Sequence, residues 1–171
     1  SIQPTAIGVF GLKRQPRPGV PAHLHTGIDI KRPSANFENE PVFATAGGLV
    51  ISVRDDGPFA QIIIEHHVTG VGKVWTVYEH VAGIVVLPGD CINSFDPIAR
   101  FMNREELDQF GWQFNHLHFE VMKTEPIPVA PTAEQSNRFF KTWWMDCHNS
   151  QILKDKYYDP VMIFQERTAD Y

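Results

Sequence analysis

The sequence predicts a mainly β protein, built as an antiparallel β-sheet or sandwich. Runs rich in β-branched and aromatic residues, separated by turns that contain Gly or Pro, span 41–46, 49–54, 61–66, 73–80 and 116–122. The last run alternates apolar and polar residues, which is the period of a strand with one buried face. A chain of 171 residues that is 43% hydrophobic fits one domain.

Two segments between or after these strands predict short helices. Asn103 is a suitable N-cap, and the residues behind it supply about two turns, so we expect a helix over 103–110. A Pro-rich stretch at 125–131 leads into 133–148, which predicts a second helix with aromatic side chains near one face. We expect that face to dock on the domain. The alternative is an exposed aromatic strip that binds glycan or protein.

The alternating run contains the first chemical signal. His116, His118 and Glu120 fall on one side of the pleat, opposite the apolar side chains. Two imidazoles side by side on a stiff strand suit a metal ligand and a neighbouring acid or base, although solvated surface histidines give the same pattern. Glu120 is expected to be a solvated strand residue; the alternative is that it orients a ligand imidazole.

A second signal lies upstream, where His25 and Asp29 offer two donors suited to zinc. In a straight strand they would be about 13 Å apart, too far to share one ion. Gly27 lies between them and allows a bend that brings them together. His23 is a competing ligand. We prefer His25 because the glycine bend lies between His25 and Asp29 and can bring their side chains together.

A third histidine, His80, ends the predicted strand at 73–80, where loops and active sites begin. Alone it is an ordinary loop residue. Tyr78, two residues earlier, is expected to pack beside the cleft, with substrate contact as the alternative.

The motifs His-x-Gly-x-Asp at 25–29, Tyr-x-His at 78–80 and His-Leu-His-Phe-Glu-Val at 116–121 together resemble the lysostaphin/LytM-type zinc metallopeptidases. These are endopeptidases that cut bacterial peptidoglycan. The stretch at 41–50 is similar to the pV.A...G.V stretch that follows the first ligand pair in this family. The resemblance covers about residues 22–123 and resumes near 157–164.

The resemblance implies that His25, Asp29 and His118 hold one Zn²⁺, and that His80 and His116 are catalytic histidines without a metal bond. Two histidines and one carboxylate leave a fourth position open, as catalytic zinc requires. The implied activity is hydrolysis of peptidoglycan crosslinks or stem peptides by attack of a zinc-activated water. The alternatives are a non-catalytic member that binds peptidoglycan or regulates another hydrolase, and a zinc enzyme or metal carrier of another kind.

The resemblance also implies how the chain is divided into segments. It implies an N-terminal extension at 1–21, one metallopeptidase domain at 22–164 with an open groove, an insertion at about 124–156, and a tail at 165–171. Whether residues 1–22 lie across the groove as an inhibitory segment is left open.

Composition adds weaker expectations. A net charge of −5 gives no sign of nucleic-acid binding, and no apolar run is long enough to span a membrane. The chain begins without a signal peptide, so we expect either a processed or trimmed form or a cytoplasmic protein. The resemblance implies a periplasmic, cell-wall-associated or secreted protein. Cys91 and Cys147 are expected to form a disulfide or to remain as free thiols. The sequence predicts no oligomeric state.

Overall fold

Strands dominate the chain, as the sequence predicts. The computed structural model describes residues 4–163. Its strands are β1 (Lys13–Arg14), β2 (His23–Leu24), β3 (Ile28–Lys31), β4 (Pro41–Phe43), β5 (Gly48–Arg54), β6 (Gln61–Val68), β7 (Gly72–Glu79), β8 (Val81–Ala82), β9 (Cys91–Ile92), β10 (Pro97–Phe101), β11 (His116–Met122), β12 (Ile127–Pro128), β13 (Phe140–Lys141) and β14 (Tyr157–Tyr158). The helices are α1 (Arg104–Phe110) and α2 (Ser150–Lys156), with 3-10 turns at Gly57–Phe59, Trp112–Phe114 and Trp144–Asp146.

The main sheet has the strand order β14-β11-β7-β6-β5-β9, and its pairs are antiparallel. β3 pairs with the first half of β11, on the edge that β14 occupies further along. A smaller sheet has the order β4-β10-β8, and β1-β2 and β12-β13 form two short pairs. The predicted fold class, a mainly β antiparallel protein, is confirmed.

β11 is covered on both faces. Leu117, Phe119 and Val121 belong to the larger apolar core, as their alternation predicts. Met122 lies on the other face, in a second apolar cluster that includes Cys147, Leu153 and Tyr157 from the end of the chain. Burying such side chains stabilises the fold by about 1.5–3 kcal/mol each. The expectation of a half-buried strand is therefore wrong for the second half of β11, because the segment after it folds back over the polar face.

The prediction of a helix at 133–148 is wrong, although a helix does form later in the same insertion. Phe140 lies instead in β13, which pairs with β12. The backbone N–H groups of Phe139 and Phe140 donate to the hydroxyl of Ser52, at 3.0 and 3.1 Å. These N–H groups are therefore engaged outside the segment and cannot form the bonds to preceding residues that a helix requires. The helix of the insertion is α2, capped by the Asn149 side chain.

The helix predicted at 103–110 is confirmed as α1. The Asn103 side chain accepts from the backbone N–H of Glu106, and the Glu106 carboxylate accepts from the backbone N–H of Asn103, a reciprocal capping box. Arg100 donates to both carboxylate oxygens of Glu106, at 2.7 and 2.9 Å. These bonds from Arg100 lower the pKa of Glu106 and join α1 to β10.

Residues 5–12 hydrogen-bond along the segment that contains β2 and β3. The predicted tail at 165–171 lies outside the described residues. Cys91 is exposed and Cys147 buried, and both are free thiols, so the disulfide alternative is not formed. Among residues 4–163, no helix is long and apolar enough to span a membrane.

Candidate metal centre

Three predicted ligands meet at the start of β11. His118 lies on that strand and is the register partner of Asp29 on β3, while His25 lies in the turn between β2 and β3. Asp29 Oδ1 is 3.1 Å from His25 Nε2 and 3.0 Å from His118 Nδ1, and the two nitrogens are 3.0 Å apart. All three side chains are buried. The structure thus brings together the three residues that the sequence predicts as metal ligands.

The chain turns at Gly27, as the sequence predicts, but glycine is needed there for a different reason. A Cβ on Gly27 would lie 2.2 Å from the carbonyl oxygen of Phe119 and 3.0 Å from Cγ of Glu120. The absent side chain therefore allows the turn to approach β11 closely, and no left-handed backbone conformation is needed. This close approach places His25 beside His118.

Outer hydrogen bonds fix how the two ligand imidazoles are oriented. His25 Nδ1 is 3.0 Å from the carbonyl oxygen of Val9, and His118 Nε2 is 2.9 Å from Glu120 Oε1. A carbonyl and a carboxylate only accept, so these outer nitrogens carry the N–H groups. In the neutral rings, the inward nitrogens of His25 and His118 therefore present lone pairs, the tautomers required for metal binding.

Glu120 corrects one expectation from the sequence. It is 2% exposed rather than solvated, and its Oε1 accepts from both His118 and the hydroxyl of Thr26. It is buried because the second apolar cluster, which includes Cys147 and Tyr157, covers this face of β11. The less favoured alternative, a carboxylate that orients a ligand imidazole, describes its position.

The donor set fits a divalent cation. Three atoms about 2.1 Å from a tetrahedral ion lie roughly 3.4 Å apart, close to the separations of this triangle. Each inward nitrogen carries at most one proton, so the three short distances between the ligand atoms cannot all be hydrogen bonds.

Burial opposes charge on His118, but hydrogen bonds to Asp29 and Glu120 outweigh this effect and raise the pKa of His118 to about 10. Burial also opposes ionisation of Asp29, yet bonds from His118 and His25 hold its pKa well below its usual range. The ligand triangle of His25, Asp29 and His118 therefore favours a positive charge at its centre.

The two predicted catalytic histidines lie beside this triangle. His116 Nε2 is 3.4 Å from Asp29 Oδ1, and the ring of His116 is 5.0 Å from that of His80 between centroids. His80 follows β7 with a φ of 63°, and its Nδ1 donates to the carbonyl oxygen of Pro58 at 2.5 Å. Burial is the main cause that lowers the pKa of each ring to about 4. Both imidazoles are therefore neutral at pH 7, so each has one ring nitrogen with a lone pair.

Aromatic side chains form a wall around His80. Phe114 follows α1, and its ring centroid is 4.9 Å from that of His80. Phe59 lies 6.1 Å from His80 and 5.7 Å from Phe114. The segment between β10 and β11, which includes α1, thus contributes directly to the surroundings of the site.

A polar row continues from the site across the main sheet. His118 pairs with Glu79, Glu79 with Gln61, and Gln61 with Arg54 on successive strands, so the four side chains share one face. Gln61 Nε2 donates to Glu79 Oε2 at 2.5 Å, and Glu79 Oε1 is 4.0 Å from His80 Nε2. Sequence reasoning missed Glu79, although alternation in β7 places it opposite Tyr78. Tyr78 is fully buried in the core with its hydroxyl against Thr45, on the face opposite Glu79, so it packs as expected but not beside the cleft.

Arg14 is a second residue that the sequence did not single out. Its Nη2 is 3.2 Å from Asp29 Oδ2, the carboxylate oxygen that faces away from the ligand triangle. No spacing signal in the sequence links these two positions. The competing ligand His23 lies apart from the triangle, with Nδ1 2.9 Å from the carbonyl oxygen of Pro21 and its ring against Trp144.

Peptidase family M23 matches residues 23–131, more than half of the chain. A zinc-containing peptidase from Vibrio cholerae is 31% identical over 70% of this chain and 32% of its own length, with a TM-score of 0.48. The chain thus spans about a third of that peptidase. No curated protein gives a significant match.

Two further solved structures are similar. The antimicrobial peptidase lysostaphin from Staphylococcus simulans is 16% identical over 97% of this chain and 51% of its own, with a TM-score of 0.56, so the two share a fold. The catalytic domain of EnpA from Enterococcus faecalis, an M23 protein, is 24% identical over 71% of this chain and 85% of its own, with a TM-score of 0.45. The resemblance noted in the sequence is confirmed: this chain belongs to peptidase family M23.

Proposed function

We propose that this protein is a zinc-dependent endopeptidase that hydrolyses peptide bonds in bacterial peptidoglycan, in crosslinks or stem peptides. One observation carries the proposal: the inward atoms of His25, Asp29 and His118 converge within 3.0–3.1 Å, beside the imidazoles of His80 and His116. A metal store needs only the three ligands. Two further neutral histidines at the same place favour chemistry over storage.

Zinc would be held by His25 Nε2, Asp29 Oδ1 and His118 Nδ1. When bound, it supplies Lewis acidity, which acidifies water and polarises a carbonyl group. Asp29 contributes the negative charge that offsets part of the charge of the ion. The bonds to Val9 and Glu120 keep both ligand imidazoles from rotating.

His116 would move the proton. Its Nε2 is 3.4 Å from Asp29 Oδ1, so the ring lies next to the ligands, and its neutral form has one nitrogen that can accept a proton. It accepts a proton from the attacking water at Nε2 and returns it to the leaving amine. His80, with its Nδ1–H tied to Pro58, directs Nε2 toward the same space and positions the water or the developing oxyanion.

The family and the chemistry support a proposal for the substrate and the location. Peptidoglycan peptides are the substrate class that the lysostaphin/LytM-type resemblance implies, and that polymer lies outside the cytoplasmic membrane. We therefore propose a periplasmic, cell-wall-associated or secreted enzyme. The polar row from His118 to Arg54 would form the floor of its groove.

The test combines metal content with product analysis. Purified protein should carry one zinc per chain and release peptides from purified sacculi and from defined muropeptides, identified by mass. Activity should disappear with a chelator and return with zinc. Zinc binding and sacculus binding without cleavage would instead support the non-catalytic member. Absence of both zinc and cleavage would overturn the proposal.

A further inference from the structure

The N-terminal segment Thr5–Arg14 forms hydrogen bonds with His25 and Asp29, the two ligands that come first in the sequence. The backbone N–H of Asp29 donates to the carbonyl of Gly8 at 2.8 Å, and the backbone carbonyl of Asp29 accepts from the N–H of Thr5 at 2.8 Å. The backbone of His25 is engaged in the same way, by Leu12 at 2.9 Å and Gly11 at 2.8 Å. Every backbone hydrogen-bonding group of these two ligands therefore has its partner in this segment.

Side-chain contacts repeat the pattern. The Nδ1 of His25 is 3.0 Å from the carbonyl oxygen of Val9, which fixes the ring, and Arg14 Nη2 is 3.2 Å from Asp29 Oδ2. A Cβ on Gly8 would lie 2.3 Å from Cβ of Asp29, so the segment passes directly against the ligand. These contacts explain why the segment lies where it does, and each of them ends on His25 or Asp29.

We propose that Thr5–Arg14 is a structural part of the metal centre and that Arg14 is a positioning residue for Asp29, an inference that rests on the proposed function. The guanidinium holds Oδ2, so Oδ1 alone turns toward His25 and His118. The segment therefore supports metal binding, and its release would weaken the site instead of activating it. This is the opposite of an inhibitory segment that lies over a finished groove.

Point variants of the full chain test this inference. Arg14→Met keeps the length and much of the packing of the side chain but removes the charge and the donors. Outer partners of metal ligands typically contribute about 10–100-fold to metal affinity. We expect Arg14→Met to raise the zinc Kd by that factor, measured by competition with a chromogenic chelator. Arg14→Lys should recover part of the loss, and Arg17→Met, on an exposed arginine nearby, should leave Kd unchanged.

Two further readouts separate positioning from general stability. Excess zinc should restore the activity of Arg14→Met, because the variant lowers metal occupancy. In an Asp29→Asn background, Arg14→Met should cause no additional loss of zinc affinity, because the carboxylate that it positions is gone. A merely structural role would lower the Tm of the metal-free protein and leave the zinc Kd of the folded fraction unchanged.

The outcomes distinguish this inference from the proposed function. Wild-type protein that binds zinc stoichiometrically, with Arg14→Met equal to it within a factor of about two in Kd, overturns the positioning role alone. Wild-type protein that binds no zinc overturns both. Should Arg14→Met fail to fold, Arg14→Lys decides the matter, since a point charge without the planar fork is expected to bind zinc several-fold more weakly than wild type.

Discussion

Glu120 Oε1 lies 2.9 Å from His118 Nε2, two residues away on the same strand. The carboxylate is buried and also accepts from Thr26. A strand places alternate side chains on one face, so a ligand and its orienting group are held by the same short piece of backbone. This arrangement makes the inward nitrogen of His118 a better donor to a cation.

Removing that carboxylate should weaken zinc binding. Glu120→Gln keeps an oxygen that accepts from His118 but removes the charge, and we expect about a tenfold higher zinc Kd. Glu120→Ala removes the acceptor too and should approach a hundredfold. Chelator competition on the folded protein measures both. Wild-type affinity in Glu120→Ala would show that the contact has no role in metal binding.

Exchanging each histidine of β11 should separate metal binding from proton transfer. His118→Ala removes a ligand, so both zinc and peptidase activity should be lost. His116→Ala should retain one zinc per chain and lose about 10²–10⁴-fold in kcat, because a general base is removed. His67→Ala, on an exposed side chain, is the matched control and should keep both properties. Loss of zinc from His116→Ala would instead make His116 a ligand.

Zinc binding near pH 7 should release about one proton per site. In the metal-free protein the pKa of His118 is raised to about 10, so this ring is protonated at pH 7, whereas Asp29 is already ionised. Zinc replaces the proton on His118, and its apparent affinity should rise about tenfold per pH unit from 7 to 9. Calorimetry in two buffers of different ionisation enthalpy counts the protons. A count near zero would contradict this charge assignment.

The capping box of α1 should contribute to stability but not to metal binding. Asn103→Ala removes the side-chain acceptor for Glu106 and should cost about 1 kcal/mol in the free energy of unfolding. For a chain of this size the Tm should fall by roughly 2–4 °C. Urea unfolding of the metal-free protein gives the first value and thermal melting the second. The zinc Kd should not change; if it does, α1 is coupled to the ligands.

Several features follow from local patterns in the sequence. The helix α1 depends on Asn103 and Glu106, two residues three positions apart that form its capping box. The apolar face of β11 depends on strict alternation, and the main strands depend on β-branched runs. Each of these signals lies within a short stretch of chain, so no knowledge of distant contacts is needed to find it.

Other features depend on segments that are distant in the sequence. The burial of Glu120 arises because the segment around Cys147 and Tyr157 covers β11, which alternation in β11 cannot reveal. The helix expected at 133–148 does not form because Ser52, on β5, takes the backbone N–H groups of Phe139 and Phe140. Arg14 meets Asp29 through a chain turn for which the intervening residues give no periodic signal.

The three polar residues of β11 form a gradient from interior to solvent. The exposed fraction of the side chain is 3% for Glu120, 11% for His118 and 18% for His116. The effective dielectric therefore rises within five residues, from the buried carboxylate of Glu120 to the half-buried ring of His116, the residue proposed to move the proton. An ion held by His118 would then be shielded from solvent on the side of Glu120 and accessible on the side of His116, where the proposed peptide substrate would approach.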